Sequence, residues 1–308
     1  MKIVFLDAAT MGDVDFGPVR ALGDLVLYES SSREEALERV AEAEVLIINK
    51  IRVDAKLMDA APSLKLICEA ATGVNNIDVA EAERRGIPVR NVAGYSTDSV
   101  VQTTFMLMLA LVGKAAYFDS FVKSGEYSRC GMFTNVSTVF MELAGKRLGI
   151  IGMGNIGRKV AAVAEAFGME VVYYSTSGTS HCTDYPSLGL EELLQTSDVV
   201  SVHAPYNERT AGLIGEAELG MMKPGAYLLN LGRGGIVDET ALARAIDGGL
   251  IAGAASDVFT SEPLPADNPL MKVQKKDRLL LTPHIAWASK EARDRLAAMI
   301  ARNIAEGW

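Results

Sequence analysis

Three side chains late in the chain, Arg233, Glu262 and His284, have the types that a redox reaction at a carbinol carbon requires. One protein group must give or take a proton near neutral pH, and histidine, with an ordinary pKa of about 6.5, suits that work. A carboxylate beside the imidazole favours its protonated form and keeps a donor ready for ketone reduction. An arginine grips a carboxylate as a two-pronged fork and can also polarise the reacting carbonyl. Together with Asp257, these residues fall just after short apolar runs that read as strands. In doubly wound sheets, ligands bind beyond the carboxyl ends of the strands. Taken singly, each of these residue types is more often structural, so type and spacing alone do not assign the roles. The 3 histidines, at positions 181, 203 and 284, lack i, i+4 spacing and lack a Cys or Asp at ligand spacing, so no metal is expected. No G-x-S-x-G run occurs, which leaves a serine hydrolase unsupported.

Such chemistry needs a hydride carrier and a frame to hold it. An apolar run at 148–151 leads into Gly152-Met153-Gly154-Asn155-Ile156-Gly157, a G-x-G-x-x-G spacing. Apolar residues then recur at Ile156, Val160, Val163 and Phe167 in helical steps, and 169–174 reads as a strand again. Strand, glycine turn, helix and strand within about thirty residues is the setting that makes a dinucleotide fingerprint credible, ahead of a glycine-rich turn with no ligand. Gly152 allows the tight turn, Gly154 lets a pyrophosphate approach the backbone, and Gly157 permits close helix packing. The helix N-terminus adds free N–H groups and a positive dipole end.

One position departs from the fingerprint. An acid at the end of the second strand normally holds the ribose hydroxyls of NAD. Here Ser175 stands in its place, within Ser175-Thr176-Ser177-Gly178. Losing the acid removes repulsion against a 2′-phosphate, yet no Arg or Lys follows in the same loop to pair with one. NAD and NADP both stay open, with NAD slightly favoured.

The 308 residues give room for two domains, and with nearly half of them apolar a sizeable core is within reach. A formal net charge of −9 argues against nucleic acid and against an anionic membrane surface. It leaves room for a small anionic substrate where positive charge is concentrated. Cys68, Cys130 and Cys182 are widely separated and have no metal or redox spacing, which suits idle thiols in a reducing, cytoplasmic setting. The first apolar run is too short for a signal peptide, and no stretch approaches the ~18 apolar residues of a membrane span.

From the start, strands are expected at 3–6, 25–28, 45–48, 66–69 and 89–91. A helix at 32–42 is expected between them, capped by Ser31 or Ser32 with Glu34 and Glu35 in its first turn. The alternation predicts a parallel sheet with covered faces. Lys50 follows the third strand, facing either a cleft or solvent. Gly73 and Val74 follow the fourth, in a loop that reads as opening a helix and whose backbone N–H groups suit a carboxylate. An αL turn with Asn caps fits that spacing as well. A helix at 100–114 is apolar nearly all round, so it should be buried, and it reads as a bridge between domains. Residues 115–144 look irregular, with aromatics suited to a subunit contact. Helices are then expected at 190–195, 216–222 and 239–247, alternating with strands at 199–202, 227–231, 252–256 and 279–281. An amphipathic helix at 289–304 closes the chain.

Over essentially its full length the sequence resembles the D-isomer-specific 2-hydroxyacid dehydrogenase family. The motifs that carry the resemblance are Gly152 to Arg158 and the stretches 230–239, 257–263 and 282–289, in the family's order. The resemblance implies an α/β fold of two doubly wound parallel-sheet domains. A Rossmann cofactor domain, 99–287, would be inserted into a flavodoxin-like substrate domain, 1–98 plus 288–308. The active site would lie in a cleft whose hinge closure shuts out water. Arg233 would bind substrate, Glu262 would pair with the acid/base, and His284 would be that acid/base. Asp257 would hold the nicotinamide amide. His203, Ala204, Pro205, Thr210, Leu231 and Gly232 would line the cofactor. Gly73 and Val74 would hold the substrate carboxylate, and Trp287 would line the pocket or pack beneath it. A homodimer built through the cofactor domain is also implied. The closest branches in appearance reduce hydroxypyruvate or glyoxylate to D-glycerate or glycolate with NAD(P)H. A D-3-phosphoglycerate dehydrogenase and a non-catalytic NAD(H)-sensing binding protein are the alternatives.

Overall fold

The computed structural model describes residues 1–179 and 181–307. They form two compact units, Met1–Ser96 with Trp287–Trp308, and Thr97–Ala286.

The first unit is built on a parallel five-stranded sheet. Its strands are β1 (Lys2–Phe5), β2 (Asp24–Leu27), β3 (Val45–Ile48), β4 (Leu66–Glu69) and β5 (Val89–Arg90), in the order β2-β1-β3-β4-β5. β3 and β4 are buried at every position, as central parallel strands covered on both faces must be. The two-residue period of β1 sends Ile3 and Phe5 to one apolar cluster and Val4 to the other. The closing helix, Lys290–Ala305, covers the first face with Ala292, Leu296, Ile300 and Ile304, spaced four apart, and Ser289 caps it through Ala292 N at 3.3 Å. Between β2 and β3 the helix Arg33–Arg39 starts with a capping box of Ser32 and Glu35. It stops three residues short of the expected end, because the chain must turn after Val40 to bury Ala43 and enter β3.

The strand order reverses between β1 and β3, the place where sheets of this kind leave a crevice for a ligand. Here the chain fills that place itself. The buried Asp7 carboxylate accepts from the backbone N–H groups of Asn49 at 3.0 Å, Lys50 at 2.6 Å and Ile51 at 3.2 Å. Nearby, Glu69 at the end of β4 is fully buried. Its Oε2 accepts from Asn76 Nδ2 at 3.0 Å, and its Oε1 has no hydrogen-bond partner among the described residues. Burial, reinforced by the Asp7 charge, pushes the Glu69 carboxyl up to about 9.

A carboxyl whose folded pKa is raised holds its proton in the native state after the unfolded chain has lost it. Its stabilising effect is therefore complete below about 4.5 and is lost as pH rises towards about 9. Glu69→Gln mimics the protonated form at every pH. Its unfolding free energy should match wild type near pH 4.5, then exceed it by a margin that widens by up to about 1.4 kcal/mol per pH unit. A difference that stays constant from pH 5 to pH 9 in thermal melts would show that Glu69 is ionised in the folded chain.

The second unit carries a parallel six-stranded sheet. Its strands are β6 (Arg147–Ile151), β7 (Glu170–Tyr174), β8 (Val199–Val202), β9 (Tyr227–Asn230), β10 (Gly253–Ser256) and β11 (Leu279–Leu281). The order β11-β10-β9-β8-β6-β7 reverses between β6 and β8. The helix Thr97–Val112 opens this unit and packs Val101, Phe105, Met108 and Leu111 into one of its cores. It is not buried all round: Met106 and Leu109 form a stripe left 49% and 41% exposed.

Residues 115–144 are more regular than expected. They contain the helices Ala115–Lys123 and Glu126–Arg129. Gly113 and a left-handed Lys114, at φ 54°, separate Ala115–Lys123 from the preceding helix, and none of its residues is buried. On its apolar side the rings of Tyr117 and Phe118 lie 5.2 Å apart and Phe118 meets Phe140, while Val122 stays exposed. Among the described residues no single helix is long and apolar enough to cross a membrane. Cys68, Cys130 and Cys182 form no disulfide, and burial pushes the Cys68 thiol up to about 12.

Candidate active site

The site is assembled from loops at the carboxyl ends of β6 to β11, and close backbone approaches hold those loops side by side. Gly152 ends β6 at φ 97°, a region that side chains disfavour, and a Cβ there would lie 2.9 Å from Ala204 N. Only glycine lets the loop after β6 seat against the loop after β8. Farther along, a Cβ on Gly234 would collide with the Phe259 carbonyl, so the loop carrying Arg233 lies directly on the loop carrying Glu262.

Gly154 is the N-cap of the helix Asn155–Ala166 and supplies no side-chain cap. A Cβ on it would meet nothing within 4 Å, so space lies open over the helix end. The first amides of a helix, here those of Asn155, Ile156 and Gly157, have no acceptor within it and point outward with the positive end of the dipole. The residues present therefore fit a dinucleotide pyrophosphate. In the loop after β8, His203 Nε2 lies 2.8 Å from Ser201 Oγ while its buried Nδ1 has no hydrogen-bond partner among the described residues, and burial pushes the imidazole down to about 4. It is a neutral ring at ordinary pH. Thr210 is fully buried and fixes the loop's shape: its hydroxyl donates to the Pro205 carbonyl at 2.6 Å and accepts from Asn207 N at 2.8 Å.

His284 Nδ1 and Glu262 Oε2 are 2.7 Å apart, and Glu262 Oε1 accepts from Phe259 N at 3.0 Å. Turning Nδ1 to the carboxylate sets the ring's orientation and leaves Nε2 as the nitrogen able to exchange a proton. His284 itself sits at φ 53°, an uncommon and costly conformation for a non-glycine residue. The neighbouring Asp257 holds it there. Asp257 Oδ1 accepts from Thr282 Oγ1 at 2.6 Å and Ile285 N at 2.9 Å, and its Oδ2 accepts from Ala286 N at 2.9 Å. Burial raises the Asp257 carboxyl above its ordinary range, and these bonds oppose the rise.

Arg233 spends one donor, Nη1, on the Gly232 carbonyl at 2.9 Å. Among the described residues no carboxylate lies within ion-pair distance of it, so most of its fork is free for an external anion. Asn230 braces its loop, donating to the Arg233 carbonyl at 3.1 Å and accepting from Gly232 N at 3.2 Å. Sequence reasoning passed over Asn230. The available sign was a buried polar residue closing an apolar strand.

The remaining candidates belong to the first unit. Lys50 is exposed, with its backbone N–H on Asp7 and its ammonium in no ion pair among the described residues. Gly73 and Val74 neither open a helix nor form a left-handed turn. The helix Val79–Arg84 begins later, capped by Asp78, after the bridge between Val53 and Ile77. Bonds at both ends hold this loop: Asn91 Nδ2 donates to the Thr72 carbonyl at 2.6 Å, and Asn76 Nδ2 donates to the Ile51 carbonyl at 3.1 Å. Trp287 packs edge-on against Tyr95, with centroids 6.3 Å apart, at the margin of the core.

Proton exchange beside a dinucleotide-binding turn is the companion of hydride transfer, so this fold and site define an NAD(P)-dependent oxidoreductase. The sequence profile described as D-isomer specific 2-hydroxyacid dehydrogenase, NAD binding domain, matches residues 105–286. The chain belongs to the D-isomer specific 2-hydroxyacid dehydrogenase family. It is 33% identical to a hydroxypyruvate reductase of Blautia hydrogenotrophica, over 99% of this chain and 96% of that one. It is 36% identical to a glycerate dehydrogenase of Methylorubrum extorquens, over 98% and 95%. Among solved structures, the NADPH-dependent glyoxylate/hydroxypyruvate reductase of Sinorhizobium meliloti in complex with citrate superposes with a TM-score of 0.84. That alignment has 26% identity and covers 99% of this chain and 93% of that one.

Proposed function

We propose that this chain reduces hydroxypyruvate or glyoxylate to D-glycerate or glycolate. The observation that carries the reading is the His284–Glu262 pair at 2.7 Å, on the same run of loops as Arg233, which has no acid partner among the described residues. The relatives named above act on these acids, which puts the phosphorylated substrate second. The bound nicotinamide supplies the hydride. His284 gives the proton from Nε2 to the substrate oxygen, and Glu262 compensates the ring's charge and holds its orientation. Arg233 grips the substrate carboxylate and draws charge from the reacting carbonyl. Asp257 positions the His284 loop, and its Oδ2, with one donor only, has a lone pair left for the carboxamide. Lys50, the Gly73 and Val74 backbone and Trp287 complete the proposed substrate contacts.

The test is loss of absorbance at 340 nm with a panel of 2-oxo acids and either reduced cofactor. Turnover of hydroxypyruvate or glyoxylate above that of pyruvate and phosphohydroxypyruvate supports the assignment, and the reverse ranking overturns it. The exposed apolar side chains Val122, Met132, Phe133, Val136, Val139 and Phe140, all within 19 positions of the chain, support a homodimer, which a monomer mass in light scattering would refute. The exposed, unpaired Cys130 suits the cytoplasm, and recovery in a secreted fraction would overturn that location.

A further inference from the structure

The loop after β7 contains no cation of its own, but the fold supplies one from elsewhere. Arg209, in the loop after β8, reaches over and donates from Nη1 to the Ser177 carbonyl. Its guanidinium runs across Gly178, where a Cβ would come within 2.9 Å of Nη1 and where the backbone stands at φ 80°. Beneath it the hydroxyls of Ser175 and Ser177 lie 3.1 Å apart and donate to the Thr179 carbonyl at 2.7 and 2.9 Å. No carboxylate occurs between 175 and 179, and none is bonded to Arg209 among the described residues.

The place is informative because β7 lies beside β6, whose turn carries the fingerprint. The end of the strand next to that turn is where the adenosine ribose of a bound dinucleotide is met. A ribose diol calls for an acidic acceptor there. A 2′-phosphate calls for a cation and hydroxyl donors. We propose that Arg209, with the hydroxyls of Ser175 and Ser177, seats the 2′-phosphate, so that this chain takes NADPH in preference to NADH. This rests on the dinucleotide reading of the glycine turn. Each serine hydroxyl turns from the Thr179 carbonyl to the phosphate by rotation about its χ1, and the guanidinium already stands over the loop.

The test is direct binding: fluorescence titration with NADPH and NADH, and thermal shift with 2′,5′-ADP against 5′-AMP. Wild type should bind NADPH more tightly and be protected more by 2′,5′-ADP. Arg209→Ala should weaken NADPH by about tenfold or more with NADH unchanged, as expected for loss of a charge-assisted bond. Ser175→Asp should reverse the preference. Tighter binding of NADH by the wild type, or equal weakening of both cofactors in Arg209→Ala, would overturn the proposal while leaving the glycine turn's role standing. Failure of wild type to bind either cofactor would overturn both.

Discussion

His284→Asn should lower turnover by about two to four orders of magnitude, the usual contribution of a positioned acid or base. Asparagine is the informative replacement because it tolerates the left-handed backbone that position 284 adopts at φ 53°. It can still bond to Glu262, but it cannot deliver a proton at neutral pH. The fold, the glycine turn and the Asp257 bonds to the flanking amides are all retained. Affinity for the reduced cofactor should therefore match wild type in a fluorescence titration while the 340 nm rate collapses. A rate close to wild type would remove His284 from the chemistry.

The second large effect belongs to the guanidinium. Arg233→Lys keeps a positive charge but loses the planar fork, so it separates charge from geometry. We expect kcat/KM for the 2-oxo acid to fall by about 10²–10³, comparable to removing a group that stabilises a developing oxyanion. KM should rise and kcat should fall together, because the same side chain orients the carboxylate and polarises the carbonyl. Cofactor affinity should not move, since Asn230 would continue to brace the loop through backbone atoms. Wild-type kcat/KM in the lysine variant would show that a point charge is enough and that the fork has no role.

Local patterns revealed the frame of this molecule well. β3, β4 and β8 lie where the apolar runs put them, because a strand buried on both faces has no other composition to offer. The glycine turn was readable for the same reason: its conformational demands exclude most residues. What the sequence concealed were contacts between loops far apart in the chain. Arg209 lies 32 positions from Ser177, and nothing in either stretch announces the other. Asp257 looked like a ligand for the cofactor, yet most of its bonding capacity holds the His284 loop, a division visible only once its donors are counted. The helix Ala115–Lys123 was missed although Tyr117, Phe118, Phe121 and Val122 recur at helical spacing, because its 9 residues give that period little more than two turns and none of them enters a core.

The acid beneath β3 has a further meaning. Both sheets of this chain are wound in patterns that elsewhere cradle nucleotides, and a naive count would allow two molecules per subunit. In the first sheet an Asp7 side chain acts as a permanent stopper, presenting its own negative charge to the very amides a phosphate would seek. Those amides are thereby taken from any nucleotide phosphate, which leaves the glycine turn after β6 as the dinucleotide site.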